Sequence, residues 1–260
     1  MINPWLGIAA VLVVDACLIG SIHTVRRFVV LPGEVMRKLI HLSTTTCALA
    51  FPWLFHAGWP PCFLAGFAIG LMAIARLPAL QGLVEEFGVG DSLRRDAWGE
   101  FYYPIAIALL FIATRGEPLA YAVPLFAIGF GDAAAAIVGK AVGRLRYRTA
   151  GRETKSVEGT VAFLLVAFAG GWAILAGGSG LSAGEAGLLA LTAGIYMALI
   201  EAIAWHGMDN LLAPFGGLLV LRGLANAGPG VLLVQASLAT AAALFLAIRL
   251  FPPWPARKPA

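Results

Sequence analysis

The chain reads as an all-α, polytopic integral membrane bundle of about eight transmembrane helices, within a range of roughly seven to nine. Three observations predict it. Of 260 residues, 60% are hydrophobic and only 12% charged, with a mean hydropathy of +0.86; soluble domains carry about a quarter charged residues. Apolar runs recur along the whole length, each close to the ~20 residues that a span requires. Lysine and arginine then concentrate in alternate loops. A soluble domain with one anchor is excluded. No internal repeat, soluble domain or nucleic-acid motif is visible, and residues 1–260 read as a single membrane domain.

Taken in order, spans are expected near 4–20, 39–57, 62–78, 100–114, 118–139, 159–177, 186–204 and 230–250. The 100–114 run is short. Residues 211–224 (LLAPFGGLLVLRGL) are a poor ninth candidate, because Pro214 and Arg222 interrupt them; they read also as a re-entrant or interfacial piece. The first run has no basic residues before it and a basic cluster after it, so it reads as an uncleaved span and not a signal peptide. Trp5, Trp53, Trp59, Trp98, Trp205 and Trp254 fall at expected span ends, as an aromatic belt requires, and only Trp172 is mid-span. Cys17, Cys47 and Cys62 show no framework spacing and read as packing residues.

Loops 21–38, 76–100, 140–158 and 205–229 carry the basic residues, from Arg26 and Arg27 through Arg152 and Lys155 to Arg222. The intervening loops hold only Arg115. The positive-inside rule therefore puts the N-terminus outside and the basic loops in the cytoplasm. The tail ARKP would then lie outside, against the rule, unless a ninth span returns it. The formal charge of +4 first reflects this topology, and it also suits anionic lipid or a polyphosphate.

Three polar stretches stand out against this background. In FAIGFGDAAAAIVGKAVGRLRYR, residues 126–148, Asp132 lies alone in an apolar run, at a cost of roughly 2.5–3.5 kcal/mol at a helix centre. A loop rich in lysine and arginine follows, with Gly139, Gly143 and Gly151, and ends in KSVEG, 155–159. Glycines let backbone N–H groups approach a phosphate, and Lys and Arg neutralise it. A plain positive-inside loop is the alternative. The P-loop pattern fails, since position 134 is Ala and Ala141 follows Lys140; GFGDAA lacks the third glycine of a dinucleotide turn.

The second stretch is GEVMRKLIHLSTTT, 33–46, where Glu34, Arg37, Lys38 and His41 share one helical face. It reads either as an interfacial collar with a Glu34–Lys38 pair or as cations offered to a phosphate, with His41 as proton acceptor or hydrogen-bond donor. In the third, IYMALIEAIAWHGMDNLLAP, 195–214, Glu201 is an intramembrane carboxylate, and Asp209-Asn210 is either an N-cap or part of a site. Asp15 has no motif around it and reads as snorkelling or paired. Glu85, Glu86, Asp91, Arg94, Arg95 and Asp96 read as a solvated loop, and His23, His56 and His206 show no zinc spacing. All three stretches converge on the cytoplasmic side, where Asp132, Glu201 and Asp209 with a glycine-basic loop would form a Mg²⁺–polyphosphate site facing lipid.

At these residues the sequence resembles the CTP-dependent lipid alcohol kinases, which include phytol kinase, dolichol kinase and the yeast-type diacylglycerol kinase. An Arg-Lys-x-x-His segment is matched by Arg37, Lys38 and His41. The nucleotide motif is matched by Asp132, Ala135, Gly139 and Gly143, then Lys155, Ser156, Glu158 and Gly159. A later Glu followed by Asp-Asn is matched by Glu201, Asp209 and Asn210. The match spans residues 34–214. It departs in a slightly long spacer before Lys155, and in Arg152-Glu153 where dolichol kinases carry paired lysines.

The resemblance implies phosphorylation of a membrane isoprenoid alcohol, with CTP as donor (UTP or ATP as alternatives) and Mg²⁺ as cofactor. Asp132 would hold the metal with Glu201 or Asp209. Lys140, Arg144 and Lys155 would hold phosphates, beside Gly139, Gly143, Ser156 and Gly159. Glu158 would bind a second metal or orient Lys155, while Arg37, Lys38, His41 and Asn210 would line the acceptor side. The general base falls to His41, Glu201 or Asp209. Related CDP-diacylglycerol synthases share the Asp…Gly…Lys-[Ser/Thr]-x-Glu-Gly arrangement, so cytidylyl transfer is the first alternative, and an ion-coupled transporter the second. Expected partners are the alcohol, the nucleotide and membrane lipids, with no nucleic acid; oligomeric state is open.

Overall fold

The computed structural model describes residues 3–29, 32–80, 98–149 and 153–250, with the backbone alone at 34 and 248–250. The expected Glu34–Lys38 pair, the charges of 85–96, Gly151, Arg152, Trp254 and the tail lie outside the described residues. α1 (Pro4–Arg26) starts on Asn3, whose side chain accepts from the Trp5 N–H at 3.0 Å, with Pro4 where a helix has no N–H to lose. α2 (Gly33–Leu49) begins six residues before the expected span at 39. Its polar first turns are inside the bundle, so hydropathy alone starts it too late. The expected span to 57 breaks after Leu49: Pro52 lies in the first turn of a short α3 (Phe51–Leu54).

α4 (Trp59–Ala75) and α5 (Gly99–Thr114) are shorter apolar helices. α5 ends on left-handed Arg115 (φ 53°) and Gly116 (φ 73°), a turn tight enough for α6 (Pro118–Val142) to start two residues later. A small antiparallel hairpin follows, β1 (Arg146–Arg148) with β2 (Thr154–Ser156), pairing Tyr147 with Lys155. The basic loop of the sequence thus contains a short ribbon, the only strands among the described residues. α7 (Val157–Gly178) is capped by Ser156, and α8 (Ala183–Ile203) by a Ser182/Glu185 capping box. α9 (Asp209–Leu224) and α10 (Pro229–Leu250) complete the bundle.

Among the described residues, α1, α6, α7, α8 and α10 are long and apolar enough to cross a membrane. The fold is an all-α polytopic membrane bundle. Its outer surface is apolar, with Leu165 60% and Leu219 72% exposed, the reverse of a soluble protein. Trp5, Trp53, Trp59, Trp98 and Trp205 are exposed at element ends, and Trp172 lies near the end of α7, donating its indole N–H to Ala183 O at 3.0 Å.

The doubted 211–224 stretch is a full helix. Pro214 is buried in its second turn, and Arg222 in its last turn donates to Ala113 O at 2.6 Å. At the other end Asn210 Nδ2 donates to Gly99 O at 3.0 Å. α9 therefore runs parallel to α5 along its whole length. One core surrounds Leu110, Tyr121, Leu125, Ile128 and Phe163; a second, around Leu175, Leu189, Leu221 and Leu232, joins α7 to α10.

Candidate functional site

Seven pieces of chain meet at one end of the bundle: the starts of α2, α5, α7 and α9, the ends of α6 and α8, and the hairpin. They enclose a cavity of about 750 Å³. Asp132, Glu201 and Asp209 reach it from α6, α8 and α9, with carboxylate oxygens within 4.8 Å of one another. Asp132 is far from the other two in sequence, and only the folding of three helices makes them a cluster.

Two lysines balance the three acids. Lys38, almost fully buried in α2, donates to Asp132 Oδ2. Lys155 in β2 donates to Glu201 Oε1 at 2.8 Å, to Asp209 Oδ2 at 3.2 Å and to the Glu201 carbonyl. Burial alone would lower the Lys155 pKa; the Glu201 and Asp209 carboxylates outweigh it and hold the ammonium above its usual value. Behind it, burial and then the Glu201 carboxylate push the Tyr147 phenol up to about 12, and its hydroxyl pairs with Thr160 Oγ1 at 2.7 Å.

The donor set suits a hard divalent cation, which takes carboxylate oxygens and retains water. Glu201 supports this independently: its Oε2 is buried without a hydrogen-bond partner, an expensive state for a carboxylate oxygen. Arg37, Lys140 and Arg146 line the same cavity and give it a basic rim. The chemistry of such a site suits a polyanion and a metal together.

The glycines expected to admit phosphate serve first to admit the chain itself. A Cβ on Gly139 would lie 2.8 Å from Ser156 Oγ, and one on Gly159 2.8 Å from Ala135 O. A Cβ on Gly143 would overlap Gly139 O and lie 2.8 Å from Ser156 Oγ. Ser156, which accepts from the Gly159 N–H at 3.1 Å, thus sits against a glycine face of α6 and docks the hairpin there. Gly139, Ser156 and Gly159 still line the cavity.

Other expected site residues occupy different places. Glu158 does not line the cavity; its Oε1 accepts from the Arg144 and Leu145 N–H groups at 2.8 and 3.1 Å, closing the turn after α6. Gly143, the exposed Arg144 and His41 also lie outside the lining. His41 Nε2 is 4.0 Å from Asp132 Oδ2, and its ring stacks on Tyr103. Asn210 lines the cavity while tying α9 to α5.

Several lining residues carried no signal in the sequence. Glu153 accepts from the His206 N–H at 2.9 Å, and His206 itself is left-handed at φ 54°. The Gly207 beside it (φ 77°) meets Gly99 so closely that a Cβ would overlap the Gly99 backbone. A lone histidine followed by glycine is too common a pair to mark a site.

Comparison with known proteins fits this arrangement. A phytol kinase of Synechocystis sp. is 29% identical over 219 residues, 83% of this chain and 90% of that protein. This chain is similar to that phytol kinase along most of its length. No family model matches the sequence, and no solved structure matches it. The similarity extends over most of the bundle and is not confined to one motif.

Proposed function

We propose that the chain is an integral membrane kinase that transfers the γ-phosphoryl group of CTP to the hydroxyl of a membrane isoprenoid alcohol: phytol, geranylgeraniol, farnesol or a dolichol-like alcohol. The observation that carries this reading is the cluster of Asp132, Glu201 and Asp209, interleaved with Lys38 and Lys155, at a basic-rimmed cavity. The 29% identity to a named phytol kinase supports the choice of acceptor.

Phosphoryl transfer asks a protein mainly for positioning and for neutralisation of charge on phosphate oxygens. Asp132, Glu201 and Asp209 would hold Mg²⁺, which supplies part of that neutralisation. Arg37, Lys140 and Arg146 draw in the polyphosphate, and Lys38 and Lys155 exchange a carboxylate for a phosphate oxygen at close range. The helices around the cavity keep bulk water from competing with the alcohol. His41, Glu201 or Asp209 accepts the hydroxyl proton. The prenyl chain lies among the helices in place of lipid, and the site faces the cytoplasm.

Asp132→Asn and Lys155→Ala, assayed in membranes with CTP, Mg²⁺ and a panel of prenols, are expected to abolish phosphorylation while leaving expression intact. CDP is the expected product. Release of pyrophosphate would make the chain a cytidylyltransferase, and full activity in Asp132→Asn would remove the metal assignment. Omitting Mg²⁺ or adding a chelator is expected to stop turnover reversibly.

A further inference from the structure

α6 is not a regular helix. From Ala127 to Gly131 it widens into a π turn, and Asp132 is the first residue of the α-helical segment after it. A π turn accommodates an additional residue, and one residue redirects everything that follows by about 100° at 3.6 residues per turn. The direction of the Asp132 carboxylate therefore depends on this turn.

One residue of α2 grips it. Thr45, fully buried, fills the space that a Cβ of Gly129 would occupy. It has little freedom to move aside: its hydroxyl donates to His41 O at 2.6 Å and pairs with the Tyr103 hydroxyl. One helical turn earlier, the His41 ring stacks on Tyr103, ring centroids 3.5 Å apart, so the phenol that pairs with Thr45 is itself braced from the same helix face. Residue 129 of the wide turn is thus held by residue 45. Lys38, one turn further along the same face, takes Asp132 itself.

We propose that Thr45, seated on Gly129, is a positioning residue that locks the π turn and so aims Asp132 into the carboxylate cluster. This rests on the kinase reading of the site. Thr45 does not need to touch substrate for the role.

The test is a double-mutant cycle on the full chain in detergent: Gly129→Ala, Thr45→Gly and the pair together. Each is measured for kcat, for Mn²⁺ affinity by electron paramagnetic resonance, and for thermal midpoint. Gly129→Ala is expected to lower kcat by about 100-fold, the scale of a misplacement near 1 Å, and to weaken Mn²⁺ binding. Thr45→Gly added to it clears the overlap and is expected to recover much of both. A folded Gly129→Ala with wild-type kcat and Mn²⁺ affinity overturns the inference, as does a folded double variant with no recovery. Should Gly129→Ala not fold, Thr45→Gly alone decides: an unlocked turn lowers kcat and Mn²⁺ affinity, and wild-type values refute the lock. Asp132→Asn separates the two readings. If it is inactive while Gly129→Ala is normal, only the positioning role fails; if it is active, the site reading itself fails.

Discussion

Lys155 is held by three oxygens from two elements, and the two carboxylates around it are unequal in what their loss would do. Removing the ammonium, as in Lys155→Met, leaves Glu201 and Asp209 facing each other with no counter-charge. Breaking a buried pair from one side costs about 3–5 kcal/mol. Glu201→Gln leaves Lys155 still paired with Asp209, so its cost should stay nearer the ~1–3 kcal/mol of one lost charged hydrogen bond. Thermal unfolding in detergent should therefore rank Lys155→Met below Glu201→Gln, although both lose activity; the reverse order would mean that the cluster is not compensated by Lys155. The raised Lys155 pKa fixes the sign of its pH dependence. Its stabilising contribution is complete below the ordinary lysine pKa and is lost only as pH climbs through the higher folded value, so it is constant through the neutral range. The three acids and both lysines were singled out in the sequence: Asp132 and Glu201 because an ionisable group in an apolar run is costly, Lys38, Lys155 and Asp209 from the polar stretches that hold them. Their partnerships were not. Nothing in the spacing of 38 and 132, or of 155 and 201, says which lysine meets which acid.

At the scale of elements, the hairpin depends on α6 having no side chains where Ser156 docks. Gly143→Ala should push the ribbon that carries Lys155 off the helix, since its Cβ would overlap Gly139 O and crowd Ser156. A rise in nucleotide KM and a fall in kcat of roughly 100-fold are expected, again the scale of a small misplacement. Gly70→Ala in α4 is the matched control. Nothing lies within 4 Å of its Cβ, and alanine is the better helix former by about 0.5–1 kcal/mol, so no loss of activity is expected. The glycines at 139 and 143 were readable as a motif, but as room for a phosphate. That the room is shared with Ser156 depends on the hairpin turning back, and the sequence showed only a basic loop there. The π turn was equally hidden, because a glycine-rich apolar run reads as an ordinary helix whether or not it contains one wide turn. Asp15 is a simpler case: it accepts from Ser43 Oγ at 2.9 Å, joining α1 to α2, one of the two readings open to it.

For the whole molecule, the decisive element is α9. Pro214 and Arg222 made it doubtful as a span, yet both are accommodated by position. Pro214 lies in the second turn, where its missing N–H affects only the carbonyl of Asn210, and Arg222 reaches the Ala113 carbonyl at the far end of α5. Because α9 begins beside Gly99 and ends beside Ala113, it travels the same distance through the bundle as α5. A chain that crosses on α5 should then cross on α9 as well. Counting it moves Arg222 to the end of the bundle where Arg115 lies, and brings the two basic residues of the tail, Arg257 and Lys258, back to the side of the other basic loops. If the N-terminus is outside, as the basic loops lead one to expect, α9 would carry the chain outward and α10 would return it, in keeping with the positive-inside rule. The expectation is that epitope tags at the two termini lie on opposite faces. Protease added to right-side-out vesicles should remove an N-terminal tag and spare a C-terminal one, and inverted vesicles should give the opposite pattern. Two tags cut from the same face would return α9 to the re-entrant reading, and would place the tail across the membrane from Lys155.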